Sequence, residues 1–518
     1  MINLTKRKKV AVIGAGPGGL GVSMLLSAQG YEVSVYEKQP IIGGRTSKLT
    51  LGDYTFDLGP TFFMMPSILE ELFEMSGRRL QDYMELQEID PLYTLKFGDL
   101  TFSPSRNKEK MIAEMEEKFP GSFSGYENFM KVEGEKFDRV TPLLQQPFTK
   151  LTDFITRNMV RALPKLNALD TVYNRLSTYF KDERLKWAFS FQAKYLGMSP
   201  WECPGTFTIL SYLEHRYGLF HPIGGVNQLC KAMASVIEEY GGKIYTETGV
   251  QKVLVERGKA IGVRLENGET MISDDVIINA DFGHAVTTLF DQSDLKRYRK
   301  ENVEKKKLSC STFMLYLGVN KPLKLPHHMI VFADDYKKNV EEMTKTMKLS
   351  ENPSIYVHNP SLSDPTLAPK GKSSLYVLMP VPNLTAEIDW NIEKERVREQ
   401  MLSILEQEPE LQDIRAYIEV EKVISPLEWQ NEVYVYKGAT FNLAHSLDQM
   451  MYFRPHNQFE DVSHCFLVGG GTHPGSGLPT IFESARISAN LVNKQYGKKE
   501  VYFTQGDGLL KEETPLWK

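Results

Sequence analysis

The stretch from Lys9 to Ala28, KVAVIGAGPGGLGVSMLLSA, restricts the fold of this chain more than any other. Val10 to Ile13 form a short apolar run suited to a buried parallel strand, and Gly14, Gly16 and Gly19 follow at GxGxxG spacing ahead of helix-forming residues. Each glycine has its own task in such a turn. Gly14 permits the tight reversal, Gly16 lets the backbone approach a pyrophosphate, and Gly19 lets the helix pack closely on the strand. The helix N-terminus then presents unpaired N–H groups to an anion. Three glycines alone remain a weak signal, because any Gly-rich strand-to-helix turn can match the spacing.

The following residues strengthen the reading. Tyr31 to Tyr36 (YEVSVY) predicts a second strand, and Glu37 stands at its end, where a dinucleotide fold places an acceptor for ribose hydroxyls. Gly43, Gly44 and Arg45 come next. A nicotinamide fold has no particular use for a second glycine pair there. FAD runs on past this point and gains from close backbone approach and from a cation near its phosphates. FAD is therefore the cofactor expected.

Composition sets the outer bounds. At 518 residues the chain exceeds what one hydrophobic core usually supports, so more than one domain is expected. A formal charge of -5 argues against nucleic acid as the main partner. The basic run Lys6 to Lys9 suits either an anionic lipid surface or a solvated terminus. Cys203, Cys230, Cys310 and Cys465 lack CxxC spacing, which suits a reduced cytosolic protein and predicts neither a disulfide framework nor a metal site. The glycines of the opening turn interrupt what would otherwise resemble a signal peptide. No other apolar run approaches the length of about 18 residues that a membrane-spanning helix needs.

Taken in order, Ser47 to Phe56 reads as a hairpin that leads into Asp57-Leu58-Gly59-Pro60-Thr61 and returns the chain to the cofactor. Phe62, Phe63, Met64 and Met65 suit either core or an apolar substrate lining beside a flavin. From Ser67 to Tyr217 helical periodicity dominates, with breaks at Pro120, Pro142, Pro147, Pro164, Pro200 and Pro204. Within it, Arg157, Arg161 and Lys165 mix with Met159, Val160 and Leu163, as on a membrane-lying surface or a solvated face over packed core. HPIGGVNQL, with Gly224 and Gly225, opens another helix; a hairpin around Gly258 and the strand DVIINA before Asp281 resume the nucleotide domain. Residues 307 to 450 read as a second sheet with one helix near Ile392 to Gln407, and HCFLVGGGTHPGSGLP gives a strand, a glycine turn and a closing helix from Leu478. The predicted fold class is α/β: a Rossmann-like FAD-binding domain from 8–75, 221–306 and 455–497, a helical, membrane-facing insertion at 76–220, a mixed-sheet substrate domain at 307–454 and a polar tail at 498–518.

VIGAGPGGLG with EKQPIIGGR, the GPTFFMMP stretch, HPIGGVNQL and LVGGGTHPGSGLP together resemble the bacterial phytoene desaturase (carotenoid desaturase) family, an amine-oxidase-like group within the glutathione-reductase-like superfamily. SGRRLQDYMELQEI, LSCSTFMLYLGV and SSLYVLMPVPN are most similar to its thirty-carbon, 4,4'-diapophytoene branch. The resemblance implies FAD held by Gly14, Gly16 and Gly19 at the pyrophosphate, Glu37 at the ribose and Arg45, beside Gly44, near the phosphates. It also implies that Val250 meets adenine through its backbone, and that Pro60, Thr61, Gly224, Gly225, Gly471, Thr472, His473, Gly477 and Leu478 approach the flavin. Thr480 to Glu483 departs from the smaller residues common in forty-carbon desaturases, which favours the shorter substrate.

The activity so implied is desaturation of a colourless thirty-carbon polyene by hydride transfer to flavin. His473 is the one candidate for assisting proton loss, against the reading that turn hydrogen bonds simply hold it. Expected partners are a polyene drawn from the membrane, the membrane surface itself at the inner face of the cell membrane, and a quinone or dioxygen to reoxidise the flavin. Open alternatives are a carotenoid terminal-methyl oxygenase, an amine or porphyrinogen oxidase, and a flavin-free prenyl-lipid binder resembling the GDP dissociation inhibitors.

Overall fold

In the computed structural model, residues 7–501 are described. Lys6 of the basic run and the tail beyond 501, with Leu509, Leu510 and Trp517, lie outside the described residues. The apolar run at the start of the chain forms the strand Lys9–Ile13, which pairs in parallel with Glu32–Tyr36 on one side and Asp275–Ile278 on the other. Lys243–Tyr245 and Cys465–Leu467 extend the two edges, also in parallel, to give five strands. A central parallel strand is buried on both faces, and side-chain alternation divides this one between two cores. Val10 and Val12 point into a core shared with the helices, whereas Ala11 and Ile13 join Val276 and Ile278 on the opposite face.

The helix Pro17–Ala28 is buried through Ser27, with no charged residue, because it lies against both Gln228–Glu239 and Leu478–Gln495. The opposite face is covered by an antiparallel three-stranded sheet of Val250–Glu256, Lys259–Leu265 and Thr270–Ile272. Its first hairpin closes through Arg257 and Gly258, both at positive φ, as a two-residue turn with the native strand twist requires. One nucleotide-type unit is thus assembled from the beginning, middle and end of the chain.

The second sheet has seven strands in the order Ile418–Ile424, Ser311–Val319, Ser373–Val381, Ile355–His358, His328–Val331, Thr94–Phe97 and Leu100–Phe102. Ser311–Val319 is buried along its whole length. Phe313, Leu315 and Leu317 face a core with the helix Trp390–Leu405, while Met314 and Tyr316 face Tyr54 and Phe56 of the hairpin before Asp57. This sheet therefore backs the segment that returns the chain toward the cofactor turn.

Residues 108–217 fold into the helices Lys108–Lys118, Phe123–Leu144, Arg157–Leu166, Val172–Ser177, Glu183–Ala188 and Ile209–Tyr217. The reading of 67–217 as helical does not hold for 86–102. Leu86–Ile89 pairs with Leu219–Pro222, and Thr94–Phe97 with Leu100–Phe102 forms the edge of the seven-stranded sheet. These strands are too short to impose a period on the sequence, and their partners are remote. Pro142 and Pro164 also differ from expectation, since each sits inside a helix, two residues before its end, where little helix remains to be broken. Among the described residues no helix is long and apolar enough to cross a membrane.

Candidate functional site

The opening turn is shaped by a contact between main chains. A Cβ built on Gly19 would lie 2.2 Å from the carbonyl oxygen of Gly14, so the helix approaches the strand only because residue 19 has no side chain. Gly14 itself has φ +94°, and its N–H donates to the Tyr36 carbonyl at 2.8 Å. Gly16 is the N-cap of the helix and offers no side-chain cap, which leaves the N-terminal N–H groups open to an outside anion. Asn279, the residue after Asp275–Ile278, packs its side-chain amide against this turn. A Cβ on Gly16 would meet its Nδ2 at 2.7 Å, and one on Gly18 its Oδ1 at 2.7 Å.

The other selected stretches converge on the same turn. Gly43 N–H donates to Ala15 O at 2.8 Å, and a Cβ on Gly44 would meet only the Gly16 Cα, at 3.7 Å, which leaves open space beside the glycine turn. Ala15 N–H donates to Glu37 Oε2 and Gln39 N–H to its Oε1, at 2.8 and 2.9 Å. Burial raises the Glu37 carboxyl above its ordinary range, against the pull of these N–H groups. Thr248 N–H donates to Glu37 O, which places the start of Val250–Glu256, and with it Val250, at this end of the site. Arg45 Nη2 lies 2.5 Å from Asp281 Oδ2, while its buried Nε has no partner.

A second group of contacts holds the loop Asp57–Thr61. Tyr316 OH donates to Leu58 O, Tyr376 OH to Gly59 O, and the Thr61 hydroxyl meets Tyr356 OH at 2.7 Å, so three tyrosines of the large sheet hold two carbonyls and one side chain of the loop. Val226 N–H donates to Asp57 Oδ1 at 2.7 Å, and a Cβ on Gly225 would meet the same oxygen at 2.8 Å. Burial pushes the Asp57 carboxyl up to about 6, partly offset by His221 and the Val226 N–H. Gly224 N–H donates to Asp364, and Asn227 Nδ2 to the carbonyls of Ile42 and Thr46, which ties HPIGGVN to the second glycine pair. Pro60 is half-buried beside these contacts.

Phe63, Met64 and Met65 lie in the main core, and the Phe63 backbone bridges to Phe220. Phe62 differs from them: it is half-buried and stacks on His328 with ring centroids 4.5 Å apart. The C-terminal turn is organised by a residue that sequence reading missed. Arg454 is fully buried, and its guanidinium donates to Gly470 O at 2.7 Å and Thr472 O at 3.1 Å, with longer contacts to the carbonyls of Leu443, Ala444 and Gln449. A Cβ on Gly471 would meet Phe282 at 2.5 Å, Thr472 Oγ1 donates to Pro455 O, and Gly477 is the N-cap of Leu478–Gln495 at φ +110°, with Leu478 buried. His473 is buried under Phe148, its Nε2 3.0 Å from Gln146 O and its Nδ1 without a partner. Burial pushes it down to about 3, so it stays neutral at physiological pH.

Sequence reasoning missed Asn279, Arg454 and the three tyrosines because their roles depend on strand pairing between remote segments. Asn279 carried one signal: it ends the apolar run of DVIINA, and the parallel pairing of that strand sets it beside the glycines. The expectation of no metal rested on cysteine spacing, and all four cysteines are free and buried. The described residues nevertheless bring three buried histidines together, His221, His327 and His358.

The family of flavin containing amine oxidoreductases matches residues 18–493. The chain belongs to that family. A 4,4'-diapophytoene desaturase (4,4'-diapolycopene-forming) from Methylomonas sp is 47% identical over 493 residues, covering 95% of this chain and 96% of that protein. A 4,4'-diapophytoene desaturase (4,4'-diaponeurosporene-forming) from Staphylococcus haemolyticus is 32% identical and covers 94% and 100%. Among solved structures, putrescine oxidase bound to putrescine superposes with a TM-score of 0.63 at 13% identity, covering 95% of this chain and 99% of that one, and so shares the fold. The cofactor is FAD, and the site fits it: a glycine turn with no room for side chains, an uncapped helix N-terminus, a carboxylate at the end of the second strand and an arginine with a buried unpartnered nitrogen.

The two central glycines should respond differently to a methyl group. Gly19→Ala places Cβ against a main-chain carbonyl that cannot move, so the purified variant is expected to retain less than about a tenth of the wild-type FAD, a loss of more than about 1.4 kcal/mol in binding. Gly16→Ala meets the end of an asparagine side chain and should keep its fold by circular dichroism while binding FAD more weakly. Flavin absorbance per protein measures both, and full FAD content in Gly19→Ala would refute the placement.

Proposed function

We propose that this chain is an FAD-dependent carotenoid desaturase that introduces conjugated double bonds into the thirty-carbon polyene 4,4'-diapophytoene. The observation that carries this reading is the 47% identity to the Methylomonas desaturase over nearly the whole of both chains, together with a complete set of flavin-cradling glycines. Bound oxidised flavin supplies a hydride acceptor, which is what removal of hydrogen from an allylic position of the polyene requires. The chain's own residues bind, orient and exclude water. Glu37 is assigned to the ribose hydroxyls and Arg45, anchored by Asp281, to phosphate charge. The loop Asp57–Thr61, the Gly224-Gly225 turn and the turn held by Arg454 are assigned to the flavin surroundings. His473 keeps Nδ1 as a buried lone pair and is too weakly basic to hold a full charge, so its assigned task is to orient the turn.

The substrate is insoluble in water, and the structure offers a surface suited to its source. Thr156 caps the helix Arg157–Leu166 by accepting from Met159 N–H; Met159 and Ala162 pack on Leu143 and Phe148, and this fixes which face points out. Val160 and Leu163 are 56% exposed, Ile155 76% and Leu169 98%, with Arg157, Arg161 and Lys165 among them. Exposed apolar side chains beside cations favour an anionic bilayer surface. This surface supports the reading of a peripheral enzyme at the inner face of the cell membrane, for which a quinone or dioxygen would serve as terminal electron acceptor.

Expression in cells that make 4,4'-diapophytoene tests the reaction. Yellow to red conjugated hydrocarbons are expected; aldehydes or acids from a hydrocarbon already desaturated would instead indicate a terminal-methyl oxygenase, and unchanged substrate with a flavin-loaded protein would reject both. The surface is tested by cosedimentation with anionic liposomes. The double variant Ile155→Glu, Leu163→Glu should bind about tenfold more weakly or worse, since each apolar side chain contributes about 1.5–3 kcal/mol when buried. Its FAD content should match wild type, and unchanged liposome binding would remove this face from the account.

A further inference from the structure

The strand Leu219–Pro222, which leads into Gly224-Gly225, meets the large sheet at a group of imidazoles that the flavin site does not use. His221 comes from that strand, His327 and His328 from the start of His328–Val331, and His358 from the end of Ile355–His358, where His328 and His358 are direct cross-strand neighbours. One ring nitrogen from each of His221, His327 and His358 lies within 4.8 Å of the other two, and all three residues are buried. Their ring centroids are 5.0 Å apart for His221 and His327 and 4.9 Å for His327 and His358.

Two of the rings are already oriented from outside. His221 Nε2 lies 3.1 Å from Asp364 Oδ2, and His327 Nδ1 lies 3.0 Å from Ser363 Oγ. An outer hydrogen bond of this type fixes a metal-bound imidazole by holding the nitrogen that does not ligate. His327 Nε2 then faces His358 Nε2 at 3.1 Å. A simple N–H···N bond explains that one distance but leaves the rest unexplained. His221 Nδ1 and His358 Nδ1 have no partner, and no choice of tautomers supplies one. A buried polar atom without a partner costs about 1–3 kcal/mol, so the orphaned His221 Nδ1 calls for a ligand, while His327 and His358 offer the Nε2 atoms that face each other.

Charge points the same way. Asp57 and Asp364 are both buried around His221. Asp364 accepts from Gly224 N–H and from the Thr366 hydroxyl and lies beside His221, so its carboxyl is fixed against the cluster. The three rings therefore sit beside two buried carboxyl groups.

We propose that His221, His327 and His358 form a binding site for one divalent transition-metal ion, with zinc as the best match to three neutral imidazoles. Zinc–nitrogen bonds of about 2.0–2.1 Å put tetrahedral ligands about 3.3 Å apart, close to the His327–His358 separation, and the third nitrogen closes in by a shift of up to about 1.5 Å. The ion takes no electrons and is not part of the hydride transfer. It cross-links the strand leading into Gly224-Gly225 to two strands of the large sheet, two residues from Tyr356, whose hydroxyl bonds both His328 and Thr61. The metal thus braces the loop and turn assigned to the flavin surroundings against the sheet that backs them.

The test uses untagged, full-length, FAD-loaded protein, incubated with zinc chloride, dialysed and analysed for zinc and flavin. About one zinc per chain is expected in wild type, with less than about a tenth of that in His327→Gln and in His358→Gln while their FAD content is kept. Cobalt(II) added to metal-free wild type should give the visible bands of a tetrahedral site, at longer wavelength than flavin absorption. Less than about a tenth of an equivalent of zinc in wild type, or equal zinc in wild type and both variants, overturns the proposal. If the variants fail to fold, wild-type stoichiometry and the cobalt spectrum decide, the absence of tetrahedral bands being the refuting result.

Discussion

The structure depends on the parallel pairing of Lys9–Ile13 with Asp275–Ile278, two strands that begin more than half the chain apart. That pairing does two things at once. It buries the first strand on both faces, which a parallel strand needs for stability. It also places Asn279 against the glycine turn, where its amide fills the space that side chains at residues 16 and 18 would otherwise take. The opening turn is therefore completed only after the chain has left to build the helices and returned. Cys465–Leu467 then adds to the far side of Asp275–Ile278 and delivers the C-terminal glycine turn to the same end of the sheet.

The rest of the site is held by main-chain hydrogen bonds to buried polar side chains. Tyr316, Tyr376 and Tyr356 secure the Asp57–Thr61 loop, and Arg454 gathers carbonyls from two segments of the C-terminal region. A buried arginine surrounded by carbonyls, with no carboxylate among its hydrogen-bond partners, satisfies backbone groups that would otherwise be stranded away from water. Burial lowers its pKa, yet a guanidinium begins so high that it remains charged. This arrangement lets irregular, glycine-rich backbone persist in the interior, and such backbone leaves room for a flat cofactor.

Much of this was legible in the sequence because glycine and strand signals are local. The turn at Gly14 to Gly19, the carboxylate Glu37, the pair before Arg45 and the last helix from Leu478 all fall where pattern and spacing put them. What escaped was set by tertiary pairing. The strands at Thr94–Phe97 and Leu100–Phe102 exist because His328–Val331 offers an edge, and no short window contains that information. The quartet of Phe62, Phe63, Met64 and Met65 reads as one cluster, yet only Phe62 leaves the main core, to stack on a histidine some 270 positions later. The histidine group was hidden for the same reason: it draws on three strands of two sheets, and cysteine spacing says nothing about it.

The central claim is that the converging glycine stretches hold a flavin that takes hydrogen from a polyene. A single-turnover experiment without oxygen tests it most directly, with the purified FAD-loaded protein mixed with liposomes containing 4,4'-diapophytoene. The account predicts that the oxidised-flavin absorption near 450 nm, roughly, bleaches in step with the rise of conjugated-polyene absorption, one flavin for each new double bond. Polyene formation with the flavin left oxidised, or an oxidised flavin and no product after full liposome binding, would contradict it.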